Sequence, residues 1–245
     1  MEDPWRWAVP IKAALRESLD RDERRRRARG RRFYAQIVSR GDVCFDVGAN
    51  TGNRVGIFRS LGAKVIAVEP QPNLAAYLRK RYPTRVTVVE AAAGASADTA
   101  VLHLSSSHTV ASMSESFVKT ARAEGWFGPD VRWTNEIVVP VVTIDALIQK
   151  YGLPRFMKID VEGFEPAVLK GLSTPVPWLS FEYTARLPEV GEQCIERLDS
   201  IGDYEYRYSA AETFEWWLAR FGSAAEALAA AQDGGLWGDI YARLR

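Results

Sequence analysis

Short apolar runs alternate with amphipathic segments along the chain from residue 42 onward. Short alternating or apolar runs bounded by Gly, Pro or Asp are typical of strands, and apolar residues at i, i+3 and i+4 are typical of helices. The pattern predicts strands at 43–47, 64–68, 86–90, 100–104, 137–142, 156–159, 178–183, 204–208 and 237–244. It predicts helices at 54–61, 73–81, 143–151, 165–172, 189–201 and 212–221.

The order of these elements predicts the fold class. Strands that alternate with helices form right-handed βαβ units, which build a doubly wound, mostly parallel α/β sheet. We interpret residues 41–245 as one domain, preceded by a basic helical extension over residues 1–40. Residues from about 105 to 135 are Ser-rich and then polar, which predicts an insertion or lid over the sheet edge.

Charge is concentrated at the start of the chain. The 245 residues carry 32 Lys+Arg and 31 Asp+Glu, and this net charge of +1 excludes a strongly polyanion-binding protein as a whole. Residues 1–40, however, hold 12 of the basic and 6 of the acidic residues. The excess is an arginine run of Arg21, Arg24, Arg25, Arg26, Arg27, Arg29, Arg31 and Arg32. We favour a solvated helix face, ahead of an anionic substrate or membrane surface, with nucleic acid last.

Gly30 lies within this run and is expected to break or bend the helix. After it, an i, i+1, i+4, i+5 spacing of apolar residues predicts a second buried face. Its members are Phe33, Tyr34, Ile37 and Val38.

Two features bear on the compartment. No apolar run approaches the length of about 18 residues that a membrane-spanning helix needs, and the first residues show no secretory signal pattern. Cys44 and Cys194, the two cysteines, lie in apolar segments and are expected to be buried, reduced thiols. These observations predict a cytoplasmic protein without a membrane span.

A Gly-rich turn over residues 46–52 joins the first predicted strand to the helix that follows it. Gly48 allows a sharp turn and a close approach to a ligand, and Gly52 allows the helix to pack nearby. Glu69 ends the second predicted strand, 21 residues beyond Gly48. At this place in doubly wound folds an acidic residue binds ribose hydroxyls, so the turn and Glu69 predict a nucleoside-containing cofactor.

Two cofactors compete for this turn. A dinucleotide needs three glycines around its pyrophosphate, but Asn50 stands where the middle glycine belongs. Asp46 at the start of the turn fits badly against phosphates and well against an ammonium group. S-adenosylmethionine carries an ammonium, a ribose and a sulfonium without phosphate, so it is favoured over NAD, and an NAD-type oxidoreductase is disfavoured.

A second acidic segment follows the strand predicted at 156–159. Lys158, Asp160 and Glu162 share one side by a period of two, and charges on a central strand are tolerated at its carboxyl end. We expect Asp160 and Glu162 to face the cleft. Either carboxylate is a candidate general base, a contact for the sulfonium end of the cofactor, or a ligand for Mg²⁺ with a substrate diol. Alternatively, Lys158 neutralises Asp160 and Glu162 caps the next helix.

From about residue 33 to residue 183 the sequence resembles the FkbM-type S-adenosylmethionine-dependent methyltransferases. The resemblance rests on residues 42–52, 68–70 and 143–145, and above all on Met157–Glu165 followed by Val168–Gly171. It implies a seven-stranded class I methyltransferase fold and O-methylation of a hydroxyl on a sugar, glycan or natural-product scaffold.

The predicted site residues combine the motifs with this resemblance. The cofactor set is Asp46, Gly48, Asn50, Thr51, Gly52, Glu69, Pro70, Ala92, Ser112 and Asp160, and the catalytic set is Asp160, Glu162 and His108. His108 and Ser112 lie in the Ser-rich loop, which in family members lies near the cofactor. Ala92 and Ala93 leave room for a flat adenine ring, with Glu90 as a weaker neighbour. His103, on a predicted strand, is expected to be a surface or packed residue.

Several alternatives stay open. The arginine run could grip a nucleic-acid substrate, although no Asn/Asp-Pro-Pro-Tyr/Phe motif is present. A non-catalytic partner protein would keep the fold and the cofactor. Two tryptophan pairs, at 126 and 133 and at 216 and 217, would suit an acceptor-binding wall or an ordinary core, and Glu182 could also face the cleft. The sequence does not identify the acceptor, and we leave a homo-oligomer open.

Overall fold

The computed structural model of the chain describes residues 21–106, 110–128 and 130–245, which form eleven strands and eight helices. The strands are β1 (Val43–Val47), β2 (Lys64–Val68), β3 (Val86–Val89), β4 (Ala92–Ala93), β5 (Asp98–Ser105), β6 (Ala111–Ser112), β7 (Trp133–Val142), β8 (Phe156–Ile159), β9 (Trp178–Thr184), β10 (Tyr204–Ala210) and β11 (Trp237–Leu244). The helices are α1 (Arg21–Tyr34), α2 (Asn53–Ser60), α3 (Pro72–Arg81), α4 (Glu115–Glu124), α5 (Ile144–Tyr151), α6 (Glu165–Lys170), α7 (Pro188–Asp199) and α8 (Ala224–Asp233).

Seven strands form one sheet in the order β3-β2-β1-β8-β9-β11-β10. The first five are parallel, whereas β11 runs antiparallel to both β9 and β10. The predicted doubly wound, mostly parallel α/β sheet is therefore confirmed. The chain goes from β1 to β2 on one side and returns to β8 on the other, so the strand order reverses at β1. A crevice opens at such a switch point, outside the carboxyl ends of the strands.

The strands predicted at 100–104 and 137–142 belong to a second sheet, which the sequence pattern did not separate from the first. This four-stranded sheet has the order β4-β7-β5-β6. Within the predicted insertion, residues 111–112 form β6 and residues 115–124 form α4. The helix begins at Ser114, whose hydroxyl accepts the amide of Phe117, and it buries Phe117, Val118 and Ala121. The insertion is thus more regular than its polar sequence indicated.

The helix predicted at 212–221 is wrong, because this segment consists of turns and bends. The backbone has positive φ at Ala211 (45°) and Phe214 (56°), which a right-handed helix does not allow. The apolar spacing instead serves packing: Phe214, Trp216 and Phe221 all contact the core cluster that includes Phe33.

Gly30 does not break the first helix, which continues to Tyr34. A Cβ at Gly30 would lie 2.7 Å from Ile57 Cδ1 and 3.1 Å from Phe214 Cζ, so glycine is needed there for close packing. All four residues of the predicted second apolar face are buried, although Ile37 and Val38 lie beyond the end of α1.

Two apolar clusters cover the two faces of the main sheet. α1, α2 and α3 pack in the cluster around Phe58, and α5, α6 and α7 pack in the cluster around Leu169. α1 is further fixed to β11 by a 2.9 Å hydrogen bond between the hydroxyls of Tyr34 and Tyr241. Both cysteines are buried and unpaired, as predicted. Among the described residues, no helix is long and apolar enough to cross a membrane.

Candidate active site

A cavity of about 310 Å³ lies at the carboxyl ends of β1, β2, β8 and β9, where the strand order reverses. Its walls come from the Gly-rich turn, the end of β2, the segment after β8, and the second sheet. Of the predicted site residues, it brings together Asp46, Gly48, Asn50, Thr51, Glu69, Pro70, Ala92, Asp160 and Glu162. Residues that are distant in sequence therefore meet at the sheet edge where α/β folds bind ligands.

Gly48 brings β1 close to the segment that follows β8. Its φ is +84°, and a Cβ there would overlap the carbonyl oxygen of Asp160. Its amide donates to the carbonyl of Val68 at 3.0 Å, which closes the turn against β2. Gly52 has a similar φ of +83° but faces α3, where a Cβ would lie 2.7 Å from Leu78 Cδ2. Gly48 therefore shapes the cavity floor, whereas Gly52 permits helix packing behind it.

Glu69 is buried at the end of β2 and organises the neighbouring backbone. Its Oε2 accepts the amide of Asn50 at 2.7 Å, and its Oε1 accepts the amide of Gln71 at 2.9 Å. Burial raises its pKa to about 7, although the two amides act in the opposite direction. Because each carboxylate oxygen has two lone pairs, Glu69 can accept further hydrogen bonds from ligand hydroxyls.

Asp46, at the end of β1, has an unsatisfied oxygen. The residue is only 2% exposed, and within the described part of the chain its Oδ2 has no hydrogen-bond partner. Burial raises its pKa to about 7, while Arg54 and Lys158 partly offset the shift. Buried polar atoms are normally paired, so a lone carboxylate oxygen in a cavity wall indicates a ligand that donates to it. A cationic donor such as an ammonium fits best.

Part of the cavity wall is apolar. Ala91, Ala92 and Ala93 line it, together with Leu102 of β5 and Met113 after β6. The short side chains of the three alanines leave a slot for a flat ring beside Leu102 and Met113.

Three carboxylates meet at the far end of the cavity. One oxygen from each of Asp160, Glu162 and Glu182 lies within 4.8 Å of the others. Burial, and then the negative charge of Asp160, raise the pKa of Glu162 and of Glu182 well above the ordinary value. Carboxylates this close do not all ionise readily, so the group retains protons that an isolated carboxylate would lose.

Lys158 supplies the cation beneath this group. Its Nζ lies 2.6 Å from Asp239 Oδ1 and 3.3 Å from Asp160 Oδ2, and the lysine is 1% exposed. Burial alone would lower the pKa of Lys158, but the carboxylates of Asp160 and Asp239 outweigh it and raise that pKa. Of the three cavity carboxylates, Asp160 is thus the one paired with lysine, as one sequence alternative proposed. Glu162 does not cap the next helix; Glu165 accepts the amide of Val161 there instead.

The remaining predicted residues lie elsewhere. Ser112 is buried outside the cavity lining, and its hydroxyl donates to the carbonyl of Glu162 at 2.7 Å. His108 lies outside the described residues. His103 Nδ1 contacts Glu136 at 3.0 Å across the second sheet, as a surface position would. Glu90 pairs with Arg79 at an exposed site.

Sequence reasoning missed Arg54, Glu212 and Trp237, which also line the cavity. Arg54 Nη1 donates to Glu212 Oε1 at 3.0 Å, and Arg26 of α1 pairs with the other oxygen of Glu212. The guanidinium of Arg54 also lies 4.8 Å from the ring centre of Phe214. Arg54 and Arg26 lie 158 and 186 residues from Glu212 in the sequence, so no local pattern reveals these pairs.

One family of known proteins matches most of the chain. Residues 46–208 match the model of the methyltransferase FkbM domain, whereas a search of curated proteins gave no match. Similar solved structures include precorrin-6y C5,15-methyltransferase from Geobacter metallireducens GS-15, with 13% identity, a TM-score of 0.45, and coverage of 89% of this chain and 87% of that chain. A TehB-like SAM-dependent methyltransferase from Corynebacterium glutamicum has 12% identity, a TM-score of 0.45, and coverage of 89% and 88%. A SAM-dependent methyltransferase from Aquifex aeolicus has 12% identity, a TM-score of 0.42, and coverage of 99% and 94%.

Proposed function

Because the chain belongs to the FkbM family of S-adenosylmethionine-dependent methyltransferases, we propose that it methylates a hydroxyl group of a sugar, glycan or natural-product scaffold. The observation that carries the choice of a hydroxyl is the carboxylate group of Asp160, Glu162 and Glu182 at one end of the cavity. A hydroxyl must lose its proton as it is methylated, and a carboxylate with a raised pKa is suited to take it.

The cavity residues fit S-adenosylmethionine part by part. The unpaired oxygen of Asp46 suits the ammonium, Glu69 suits the ribose hydroxyls, and the slot beside Ala92 suits adenine. Gly48 keeps the floor free of a side chain that would block the ligand. When bound, the cofactor supplies an electrophilic methyl group, so the protein has to align the acceptor, exclude water and remove a proton.

Glu162 is our candidate for the general base. Burial and the neighbouring charge of Asp160 raise its pKa, so its carboxylate is a stronger base than an ordinary glutamate. Asp160 is already engaged in an ion pair with Lys158 at 3.3 Å. We therefore assign proton removal to Glu162. We assign two roles to Asp160: it orients the acceptor, and its charge raises the pKa of Glu162.

A divalent cation is a second possibility at this place. Asp160, Glu162 and Glu182 offer the oxygen ligands that Mg²⁺ prefers, and an ion there would also acidify a substrate diol. Loss of activity in EDTA that added Mg²⁺ restores would favour the ion. If EDTA leaves the activity unchanged, proton removal by a carboxylate without a metal ion is favoured.

The acceptor class is tested by a screen with labelled S-adenosylmethionine. Monosaccharides, oligosaccharides and hydroxylated scaffolds are compared with amine, thiol and nucleic-acid acceptors. Our proposal predicts an O-methyl product and no transfer to the other acceptors. N-methylated nucleic acid as the main product, or cofactor binding without transfer to any acceptor, would contradict it.

The base assignment predicts a pH profile for the identified reaction. kcat/KM should rise with pH as Glu162 ionises, because only the ionised form accepts a proton. Asp160→Asn removes the adjacent negative charge, so the rising limb should move to lower pH. Glu162→Gln should reduce kcat by about 100-fold or more. If the rising limb does not move in Asp160→Asn, the charge of Asp160 does not affect Glu162. If Glu162→Gln keeps full activity, Glu162 is not the general base.

We further propose a cytoplasmic location. Support comes from Cys44 and Cys194, which are both buried and unpaired. Free thiols are usual in reducing compartments.

A further inference from the structure

The outward half of α1 consists almost entirely of arginine. With 100° between successive residues of a helix, its exposed positions lie on one half of the helix and its buried positions on the other. The exposed arginines, which we call the arginine face, are Arg24, Arg25, Arg29, Arg31 and Arg32. The buried half includes Gly30, Phe33 and Tyr34, which fix the helix to the core. The arginine face is therefore held rigidly toward solvent.

Most of this face carries positive charge that no described acidic residue pairs with. Glu23, on the same helix, is already occupied by Arg26 and Arg27, which flank the buried side. Within the described part of the chain, four members of the arginine face form no ion pair: Arg24, Arg29, Arg31 and Arg32. The i,i+3 and i,i+4 pairs of α1 involve Arg26 and Arg27, which lie outside the arginine face, and leave these four arginines unbalanced. The unbalanced positive charge of the arginine face indicates an anionic partner.

α1 also lies beside the cavity. Arg26 pairs with Glu212, and Glu212 lines the cavity together with Arg54. Arg29 of the arginine face lies one helical turn from Arg26, whose partner Glu212 belongs to the cavity wall.

An exposed apolar group lies at the same wall. Trp217, Leu236 and Trp237, which we call the apolar rim, are 52%, 62% and 45% exposed, and Trp237 lines the cavity. Tyr208 connects Trp217 to Trp237. Its carbonyl accepts the amide of Trp217, and its hydroxyl donates to the carbonyl of Trp237. Three large apolar side chains exposed together usually mark an interaction site.

We infer that the arginine face and the apolar rim dock the protein on an anionic lipid surface. Arginines are attracted to anionic headgroups, while tryptophan and leucine partition into the boundary between headgroups and acyl chains. Nucleic acid would account for the arginines but would leave Leu236 without an apolar partner. The docking is independent of the proposed reaction, although it would place the cavity where a membrane-associated acceptor is presented.

Vesicle co-sedimentation tests this inference with the full chain. Phosphatidylcholine vesicles are compared with vesicles that also contain phosphatidylglycerol, at low and at raised ionic strength. We expect binding to the anionic vesicles only, weakened by salt because the charges are exposed. Binding to both vesicle types alike, or to neither, would overturn the inference.

Matched variants separate the two surfaces. Each basic residue contributes about fivefold to partitioning near an anionic surface, so Arg29→Gln with Arg32→Gln should weaken binding about 25-fold. Lys150→Gln with Lys170→Gln makes the same charge change on α5 and α6, across the sheet, and should have little effect. Leu236→Ser should weaken binding severalfold at every ionic strength. Equal losses from the arginine and lysine pairs would contradict a docking face.

A random-sequence DNA duplex is titrated in parallel. If the duplex binds more tightly than the anionic vesicles and depends on the same arginines, the partner is nucleic acid and our inference is wrong. All variants are first compared with the parent protein by thermal unfolding, since these exposed positions should leave the midpoint unchanged.

Discussion

At Gly48 the backbone leaves no room for a side chain. A Cβ would overlap the carbonyl oxygen of Asp160, and the φ of +84° is unfavourable for every other residue. We expect Gly48→Ala to cost at least about 3 kcal/mol of folding free energy, since the clash is with backbone that moves only with β8. Urea denaturation measures this loss, and a titration with S-adenosylhomocysteine measures the accompanying loss of cofactor binding.

Gly41 is the matched control for that substitution. Its φ is +96°, but a Cβ there would meet nothing within 4 Å. Gly41→Ala should therefore cost only the backbone term of about 1–2 kcal/mol and leave cofactor binding intact. Equal costs at the two glycines would show that the close approach to Asp160 is unimportant.

The sequence predicted single residues where a local motif surrounds them. Asp46 and Glu69 were predicted from the motif, because Asp46 begins the Gly-rich turn and Glu69 ends the second predicted strand 21 residues beyond Gly48. Asp239 could not be found this way, because it meets Lys158 from 81 residues away. Glu182 was only noted as a residue of the cleft, since its neighbours Asp160 and Glu162 come from the segment after the adjacent strand β8.

At the scale of elements, two ion pairs of Glu212 connect the turns after β10 to the helices. Glu212 pairs with Arg54 of α2 and Arg26 of α1, and the side chain of Arg54 is only 12% exposed. Glu212→Gln would leave a buried guanidinium without its charge partner, and we expect a loss of about 3 kcal/mol. Chemical denaturation measures this loss.

The exposed pair of Arg220 and Glu226 provides the comparison. The two side chains are 82% and 51% exposed and lie 3.6 Å apart. Arg220→Gln should change stability by less than about 0.5 kcal/mol, because water screens such pairs. If Glu212→Gln lowers the free energy of unfolding by no more than this, the ion pairs of Glu212 do not stabilise the fold.

Regular elements were predicted more reliably than connections. β1, β2, β8 and β11 have the bounds that the sequence predicted, because buried strands leave a continuous apolar pattern. The segment at 212–221 was misread as a helix because side chains that pack on two different elements imitate helical spacing. The second sheet was missed because pairing between β5 and β7 is a long-range property that neither strand encodes alone.

At the scale of the whole molecule, buried carboxylates make stability depend on pH. Burial raises the pKa of Asp46, Glu69 and Glu165 to about 7. Their native forms hold protons that the unfolded chain loses near pH 4–4.5. The free energy of unfolding of the ligand-free protein should therefore fall as pH rises from about 4.5 to about 7 and level off above that.

Glu165→Gln tests one contribution to this slope. It should flatten the fall between the two pH values by about 3 kcal/mol, the amount that its shift represents. Glu90→Gln, at an exposed position, should leave the slope unchanged. If the free energy of unfolding rises between about pH 4.5 and about pH 7, these buried carboxyl groups are not protonated in the folded protein.

The central claim is that the cavity binds S-adenosylmethionine through Glu69 and Asp46. Calorimetric titration with S-adenosylhomocysteine, with NAD as the control ligand, tests it most directly. We predict micromolar binding of S-adenosylhomocysteine, no binding of NAD, and an affinity about 5- to 150-fold weaker in Glu69→Ala, from about 1–3 kcal/mol of lost hydrogen bonds. Glu90→Ala should bind like the parent protein. Binding of NAD instead, or S-adenosylhomocysteine binding unchanged in Glu69→Ala, would contradict the account.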